Sequence, residues 1–170
     1  MISIAITGGI ATGKTTVLNQ FKLCGMETHS SDLMVKEIYN NDTSTILKIK
    51  QISPQVIINK KINIKKLSEI AFKNKKILKK LESLIHPKLE LKREKILRSG
   101  KINYKKSIVF EIPLLYEKGL SNRFDFIVAT RCCKQLQKKR ALNRRDMNEK
   151  KYHSIIKNQM NNNIETSFTC

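Results

Sequence analysis

Tryptophan is absent from this chain of 170 residues, and only six glycines and four cysteines occur in it. Cys24, Cys132, Cys133 and Cys170 form no C-x-x-C pair and share no metal-ligand spacing with the three histidines. That argues against structural zinc and suggests thiols kept reduced in a cytoplasm. Cys24 falls on the apolar face of the first helical pattern and is expected in the core. No early segment has the charged start, long apolar stretch and small-residue cleavage site of a signal peptide, and no apolar run approaches a membrane span. The N-terminus reads as structural, and a cytoplasmic protein with no membrane partner is expected. Acidic residues are scarce, 14 against 34 basic ones, for a formal net charge of +20. Such a balance suggests nucleic acid. The lysines are scattered over amphipathic segments, however, with no RNA-binding motif and no interleaved aromatics, so solvated basic faces are the favoured reading. The charge would still attract a polyphosphate. The length suits one compact unit, and a monomer is expected.

What the chain does contain is Gly8-Gly9-Ile10-Ala11-Thr12-Gly13-Lys14-Thr15, which matches G-x-x-x-x-G-K-[ST] without mismatch. It follows the apolar run Ile2-Ser3-Ile4-Ala5-Ile6 and precedes a helical pattern of Val17, Leu18, Phe21 and Cys24, ended by Gly25. Strand, glycine loop and helix are the context a phosphate-binding loop requires. Backbone amides at the helix N-terminus then point at phosphate, where the helix dipole favours negative charge. Gly9 through Gly13, with Lys14, Thr15 and Thr16, are the candidate nucleotide contacts. Lys14 would reach the β/γ-phosphates, and the Thr15 hydroxyl would ligate Mg²⁺. A chance match in a chain this long has odds on the order of half a per cent.

Beyond the loop, Glu27-Thr28-His29-Ser30 reads as a short second strand ending at Ser31-Asp32, and a helix follows to about Tyr39. Asn40-Asn41-Asp42 marks a turn. Residues 43–103 read as successive lysine-rich helices, in which Leu67, Ile70, Ala71, Ile77, Leu78, Leu81, Leu84 and Ile85 make one apolar face. Pro87 is expected to interrupt that pattern and to place His86 at a junction between helices. Ser99-Gly100 reads as a loop. Two strands follow, Ser107–Ile112, stopped at Pro113, and Phe124–Ala129; a helix starts near Lys134. Asp146-Met147-Asn148 breaks that helix, and Asn148 would cap a last one carrying Tyr152, Ile155, Ile156 and Met160. Alternating strands and helices predict an α/β P-loop NTPase fold: a parallel sheet with helices on both faces, a helical substrate-domain insertion and a helical lid.

A phosphate loop alone does not separate ATPase, GTPase and kinase. The GTPase motifs D-x-x-G and N-K-x-D are missing, and few glycines remain from which to build switches. A small-molecule kinase needs a carboxylate for the acceptor hydroxyl, an acceptor pocket and positive charge from a lid. Asp32 is the candidate carboxylate, or else a helix cap. Glu111, on an otherwise apolar strand, is either a partner of Mg²⁺ through water or half of an inward salt bridge. Arg140 and Arg144, four apart, would share one helix face, either as a lid over the phosphates or as a solvated surface.

Taken in order, these pieces resemble the dephospho-coenzyme A kinase family. ITGGIATGKT is similar to its nucleotide loop, Ser30-Ser31-Asp32 to its D-A-D segment, and Leu84-Ile85-His86-Pro87 to its I-H-P junction. Val109 through Glu117 resembles its V-x-D-I-P-L-L-F-E signature, and Gln137 to Gln159 its lid region. The resemblance covers residues 1 to about 160. It implies ATP- and Mg²⁺-dependent phosphorylation of the ribose 3′-hydroxyl of dephospho-coenzyme A, the last step of coenzyme A synthesis. Asp32, Lys14 and Arg140 would then be catalytic, with Arg144 also on the phosphates. His86, Leu114, Tyr116 and Glu117 would join Asp32 around the acceptor, and Thr15 and Glu111 would serve the metal. The implied organisation is a nucleotide-binding core of residues 1–32 and 104–136, an acceptor domain of 33–103, a lid and following helix of 137–160, and an irregular tail of 161–170. The chain departs from the family at Ser30, which stands for an acid. It also departs in its ending, which reads as a truncated, polar and disordered tail in place of a final strand and helix. The alternatives are a degenerate nucleotide-binding protein without activity and a basic nucleic-acid-associated ATPase.

Overall fold

In the computed structural model the apolar run after Met1 forms β1 (Ile2–Gly8), one of the two interior strands of a sheet that has four strands among the described residues. The structure describes residues 1–145 and 147–159; Asp146 of the expected helix break, Met160 and the tail 161–170 lie outside the described residues. The chain continues through α1 (Lys14–Leu23), β2 (Glu27–Ser30), α2 (Ser31–Asn41) and α3 (Thr43–Ile52). A hairpin of β3 (Ile57–Ile58) and β4 (Lys61–Ile62) precedes α4 (Ile64–Lys73) and α5 (Lys75–Ile102). Then come β5 (Ser107–Glu111), β6 (Phe126–Thr130), α6 (Lys134–Leu142) and α7 (Glu149–Asn158). Two compact units result, where the length suggested one. One comprises Met1–Ser30 and the described part of Gly100–Cys170; the other is Ser31–Ser99. Among the described residues, no helix is long and apolar enough to cross a membrane.

The first unit holds the sheet, in the order β2-β5-β1-β6 with every pairing parallel. Alternation along the strands sends successive side chains to opposite faces. Ile6 and Val109 meet Leu18 of α1 on one face, with Val17, Phe21 and Val128 around them. Ala5 pairs in register with Phe110, so a small side chain neighbours a large one on the other face. Phe110 is fully buried there, stacked on His29 with ring centroids 5.2 Å apart. The β1–β6 end is fastened by Asp125, whose Oδ2 accepts from both the Ser3 N–H and the Ser3 hydroxyl at 2.7 Å. Those two bonds hold the Asp125 carboxyl below the usual carboxylate range. Helix α1 stops where Gly25 adopts φ +79°, and the Gly25 and Met26 amides bond back to Lys22 and Phe21. Cys24 is the C-cap there and is exposed, not in the core as its spacing suggested. The stripe ends one residue too early to carry it inward.

The second unit has its own core of Ile49, Val56, Ile62, Leu67, Ala71 and Leu81. The apolar face expected over 67–85 is therefore real, although Leu78 remains 39% exposed. It is divided between α4 and α5 at Asn74, whose side chain accepts from the Lys76 and Ile77 amides. Three expectations fail in this region. Helix α2 runs to Asn41, and Asp42 directly caps α3 by accepting from Thr45 N–H, so no separate turn occurs over Asn40-Asn41. Pro87 lies inside α5, so His86 is helical and not at a junction. Proline forfeits one i→i−4 bond at a cost of about 3 kcal/mol, but Leu81, Ile85 and Leu89 stay buried on one face across it. Ser99-Gly100 is helical as well. A Cβ at Gly100 would meet Ile108 Cδ1 at 2.3 Å, so glycine here serves close packing on β5 and not a loop. The β3–β4 hairpin was unexpected; it turns at Asn59 and Lys60, both with positive φ.

Candidate active site

Gly13, with φ +104°, is the N-cap of α1 and carries no side chain to bond the first-turn amides of that helix. Those amides have no carbonyl within their own helix. No acidic residue occupies that first turn either, so nothing on it opposes an anion. A Cβ on Gly13 would meet nothing within 4 Å, so the space beside the turn is open. Lys14 is 8% exposed, and its ammonium folds back to the carbonyls of Gly8 at 3.0 Å and Gly9 at 2.7 Å. Ala11 is buried in a left-handed conformation with φ 59°, a strain of about 1–2 kcal/mol for a residue with a Cβ. Thr12 Oγ1 lies 2.8 Å from the Gly9 carbonyl and 2.7 Å from Thr130 Oγ1, which is itself 3.1 Å from the Thr7 carbonyl. Two hydroxyl protons are thus shared among three short contacts, tying the loop to the end of β6.

Glu111 closes β5 beside this loop, in register with Ile6 of β1 on one side and Ser30 of β2 on the other. It is 5% exposed, and its Oε1 accepts from the Thr15 hydroxyl at 3.0 Å. A hydroxyl and a carboxylate together are hard oxygen donors of the kind magnesium takes alongside phosphate. The residues present therefore fit that ion. Past Pro113 the chain turns over fully buried Leu115, which leaves Leu114, Tyr116 and Glu117 half-buried. The Lys118 and Leu120 amides bond back to the Leu114 and Leu115 carbonyls and close this turn.

The expected lid has a different local structure. Arg140 is exposed on α6, but α6 ends at Leu142 with Asn143 as its C-cap. Arg144 lies one residue beyond, in a turn, so the two arginines do not share a helix face. Asn148 caps α7 by accepting from Lys151 N–H, as its position suggested. Tyr152, Ile155 and Ile156 of α7 pack with Ala141 onto Ile10 and Ala11 of the phosphate loop. Lys138 of α6 and Glu149 of α7 pair at 2.9 Å, and the Lys138 bond holds the Glu149 carboxyl below its usual range.

The structure thus brings the loop residues Gly9 to Thr16, Glu111, α6 and α7 into one unit with the Leu114–Glu117 turn. Asp32 and His86 belong to the other unit. Asp32 is exposed in the first turn of α2, a favourable place for a carboxylate, and His86 is half-buried on α5. Three contacts were not expected, although Gln137 and Gln159 delimit the lid-like segment in the sequence. Gln137 and Gln159 both bond to Ile10, and buried Arg93 donates to Ser31 Oγ at 3.2 Å, next to Asp32. Each contact joins residues far apart in the chain, so no local pattern singles it out.

A family model described as dephospho-CoA kinase matches residues 2–168. Among curated relatives, a dephospho-CoA kinase of Bartonella quintana is 37% identical over 157 residues, covering 92% of this chain and 80% of its own length. One from Rickettsia prowazekii is 33% identical over 161 residues, covering 94% and 81%. Of solved structures, dephospho-CoA kinase from Campylobacter jejuni superposes with a TM-score of 0.59 at 27% identity, covering 96% of this chain and 81% of that one. The crystal structure of TT1252 from Thermus thermophilus reaches 0.79 at 21% identity over 99% and 85%, a likeness of fold.

Proposed function

This chain belongs to the dephospho-CoA kinase family, and we propose how its own residues perform that family's reaction. The protein is a kinase that phosphorylates the ribose 3′-hydroxyl of dephospho-coenzyme A from ATP, giving coenzyme A and ADP. The observation that carries the reading is the loop itself: buried Lys14 on the Gly8 and Gly9 carbonyls, with Thr15 bonded to Glu111. Nothing in the relatives' names supports a degenerate nucleotide-binding protein or a nucleic-acid-associated ATPase.

In the proposed mechanism the first-turn amides of α1 and the Lys14 ammonium hold the β- and γ-phosphates. Thr15 and Glu111 would hold Mg²⁺, which would supply charge neutralisation for the transferring phosphate. Asp32 accepts the proton of the 3′-hydroxyl as that oxygen bonds to the γ-phosphorus and the bond to the ADP oxygen breaks. Arg140 and Arg144 neutralise the equatorial oxygens; a lid arginine in this role is worth ~10³-fold or more. His86, Leu114, Tyr116 and Glu117 line the acceptor side, residues 33–103 form the acceptor domain, and the stretch from residue 137 into α7 is the lid. No covalent enzyme intermediate is needed, because positioning and electrostatics suffice. The reaction is assigned to the cytoplasm and to a single chain.

A coupled ADP-release assay with ATP, Mg²⁺ and dephospho-coenzyme A tests this. Turnover is expected in the wild type, with a loss of roughly 10²- to 10³-fold in Lys14→Ala and a comparable loss in Asp32→Asn. Wild-type turnover no greater than that of Lys14→Ala would refute the activity. Full activity in Asp32→Asn would refute the role of Asp32 alone.

A further inference from the structure

Two glutamines grip the backbone of one phosphate-loop residue, Ile10, through the two peptide units that flank its Cα. The Ile10 N–H donates to Gln159 Oε1 at 3.0 Å, and Gln137 Nε2 donates to the Ile10 carbonyl at 2.9 Å. The orientation of each side-chain amide is dictated by its partner, since a backbone N–H requires an oxygen and a carbonyl requires an N–H. Gln137 projects from α6 and Gln159 follows α7, so both bonds form only when both helices are seated. Gln137 is 4% exposed, and a buried amide there would be costly to leave unpaired. A Cβ on Gly9 would stand 2.7 Å from Gln137 Nε2, so the absence of a side chain at Gly9 is what admits the amide. Beneath the two bonds, Ile10 and Ala11 pack against Ala141 and Tyr152. The very next residue, Ala11, holds its left-handed conformation at φ 59°. Such a conformation persists only when its surroundings over-determine it.

We propose that Gln137 and Gln159 are positioning residues for nucleotide phosphate binding. By pinning the peptides on both sides of Ile10 they hold Ala11 in its strained conformation and the loop in the shape that receives a nucleoside polyphosphate. Through them that shape depends on the seating of α6 and α7. The inference rests on the reading of residues 8–15 as the ATP site. It adds that α6, which bears Arg140, and α7 also set donor affinity, and not transfer alone.

The test is calorimetric titration of Mg-ADP into four full-length variants, with steady-state KM values for both substrates. Gln137→Met and Gln159→Met keep side-chain volume and remove the bonds. Each is expected to weaken Mg-ADP by about 3- to 10-fold and to raise KM for ATP in parallel, leaving KM for dephospho-coenzyme A unchanged. Gln137→Glu and Gln159→Glu add the same charge at neighbouring places. Only the second keeps its bond, because a carboxylate still accepts from the Ile10 N–H while none donates to the Ile10 carbonyl. Gln159→Glu is therefore expected to bind Mg-ADP about fivefold or more tighter than Gln137→Glu. Equal losses in the two glutamate variants, wild-type Mg-ADP affinity in the methionine variants, or equal rises in both KM values would overturn the proposal. A wild type that does not bind Mg-ADP would remove the nucleotide reading, and the proposal with it.

Discussion

The Thr15 hydroxyl donates to Glu111 Oε1 at 3.0 Å, linking the first turn of α1 to the end of the neighbouring β5. Glu111 is buried on a strand whose other inward residues are apolar, so its carboxylate is retained against a desolvation cost. Glu111→Gln keeps an oxygen for Thr15 and removes the charge. The Mg²⁺ concentration for half-maximal activity is expected to rise about 10- to 100-fold, with folding preserved. Activity measured across a magnesium series, beside a thermal melt, checks it; an unmoved midpoint would count against a metal role.

Asp42 caps α3 and pairs with Lys88 in the second unit. Its carboxyl is held well below the usual range, first by the bond from Lys88, then by Ser44 and the Thr45 amide. A depressed folded pKa means that its stabilisation is fully present above the unfolded value near 4 and is lost as pH falls through the folded one. Asp42→Ala is expected to cost about 1–2 kcal/mol at neutral pH, chiefly as a lost α3 cap, because a partly exposed ion pair adds little. Urea melts between pH 7 and 3 should show the wild type and the variant converging towards acid.

Pro87 costs α5 an interior hydrogen bond to the Ser83 carbonyl. Pro87→Ala is expected to stabilise the protein by roughly 1–3 kcal/mol. If His86 contacts the acceptor as proposed, KM for dephospho-coenzyme A rises in the same variant, a trade of function for stability. Thermal unfolding and acceptor kinetics read the two effects separately. A lowered melting temperature would show that the flanking turns require proline.

Gly100→Ala sets two effects of known size against each other. Helix propensity favours alanine by about 1 kcal/mol, whereas overpacking a tight site costs about 1–3 kcal/mol. The added methyl would lie 2.3 Å from Ile108 Cδ1 and 2.7 Å from Met1 Sδ, so packing is expected to win and the variant to be destabilised. Ile108→Val deletes that Cδ1 and should rescue part of the loss. Melts of both single variants and the double variant measure the coupling; strict additivity would show that the contact does not matter.

The loop at residues 8–15, the strands around it and the capping of α7 by Asn148 were legible because each depends on residues close together in the chain. The match of Gly8 through Thr15 to G-x-x-x-x-G-K-[ST], between an apolar run and a helical pattern, is such a local signal. Cys24 and Arg144 were misplaced because each lies just past a helix end, where a spacing rule still counts but the helix no longer continues. Continuity of α5 through Pro87 and Gly100 was not legible either. Local preference votes to break at both positions; burial of Leu81, Ile85 and Leu89 on one face overrules it at Pro87, and close packing on Ile108 accompanies the helix at Gly100.

By itself, then, the order of residues determined the phosphate loop, the alternation of strands with helices and the family resemblance, since all three are carried by neighbours in sequence. Tertiary structure alone decided that Gln137 and Gln159, 127 and 149 residues from Ile10, bond its carbonyl and its N–H. It alone decided that Glu111 meets Thr15 across 96 residues. A hydrogen bond is specified by position in space, and contacts between distant residues exist only once the packed core has brought their backbones together.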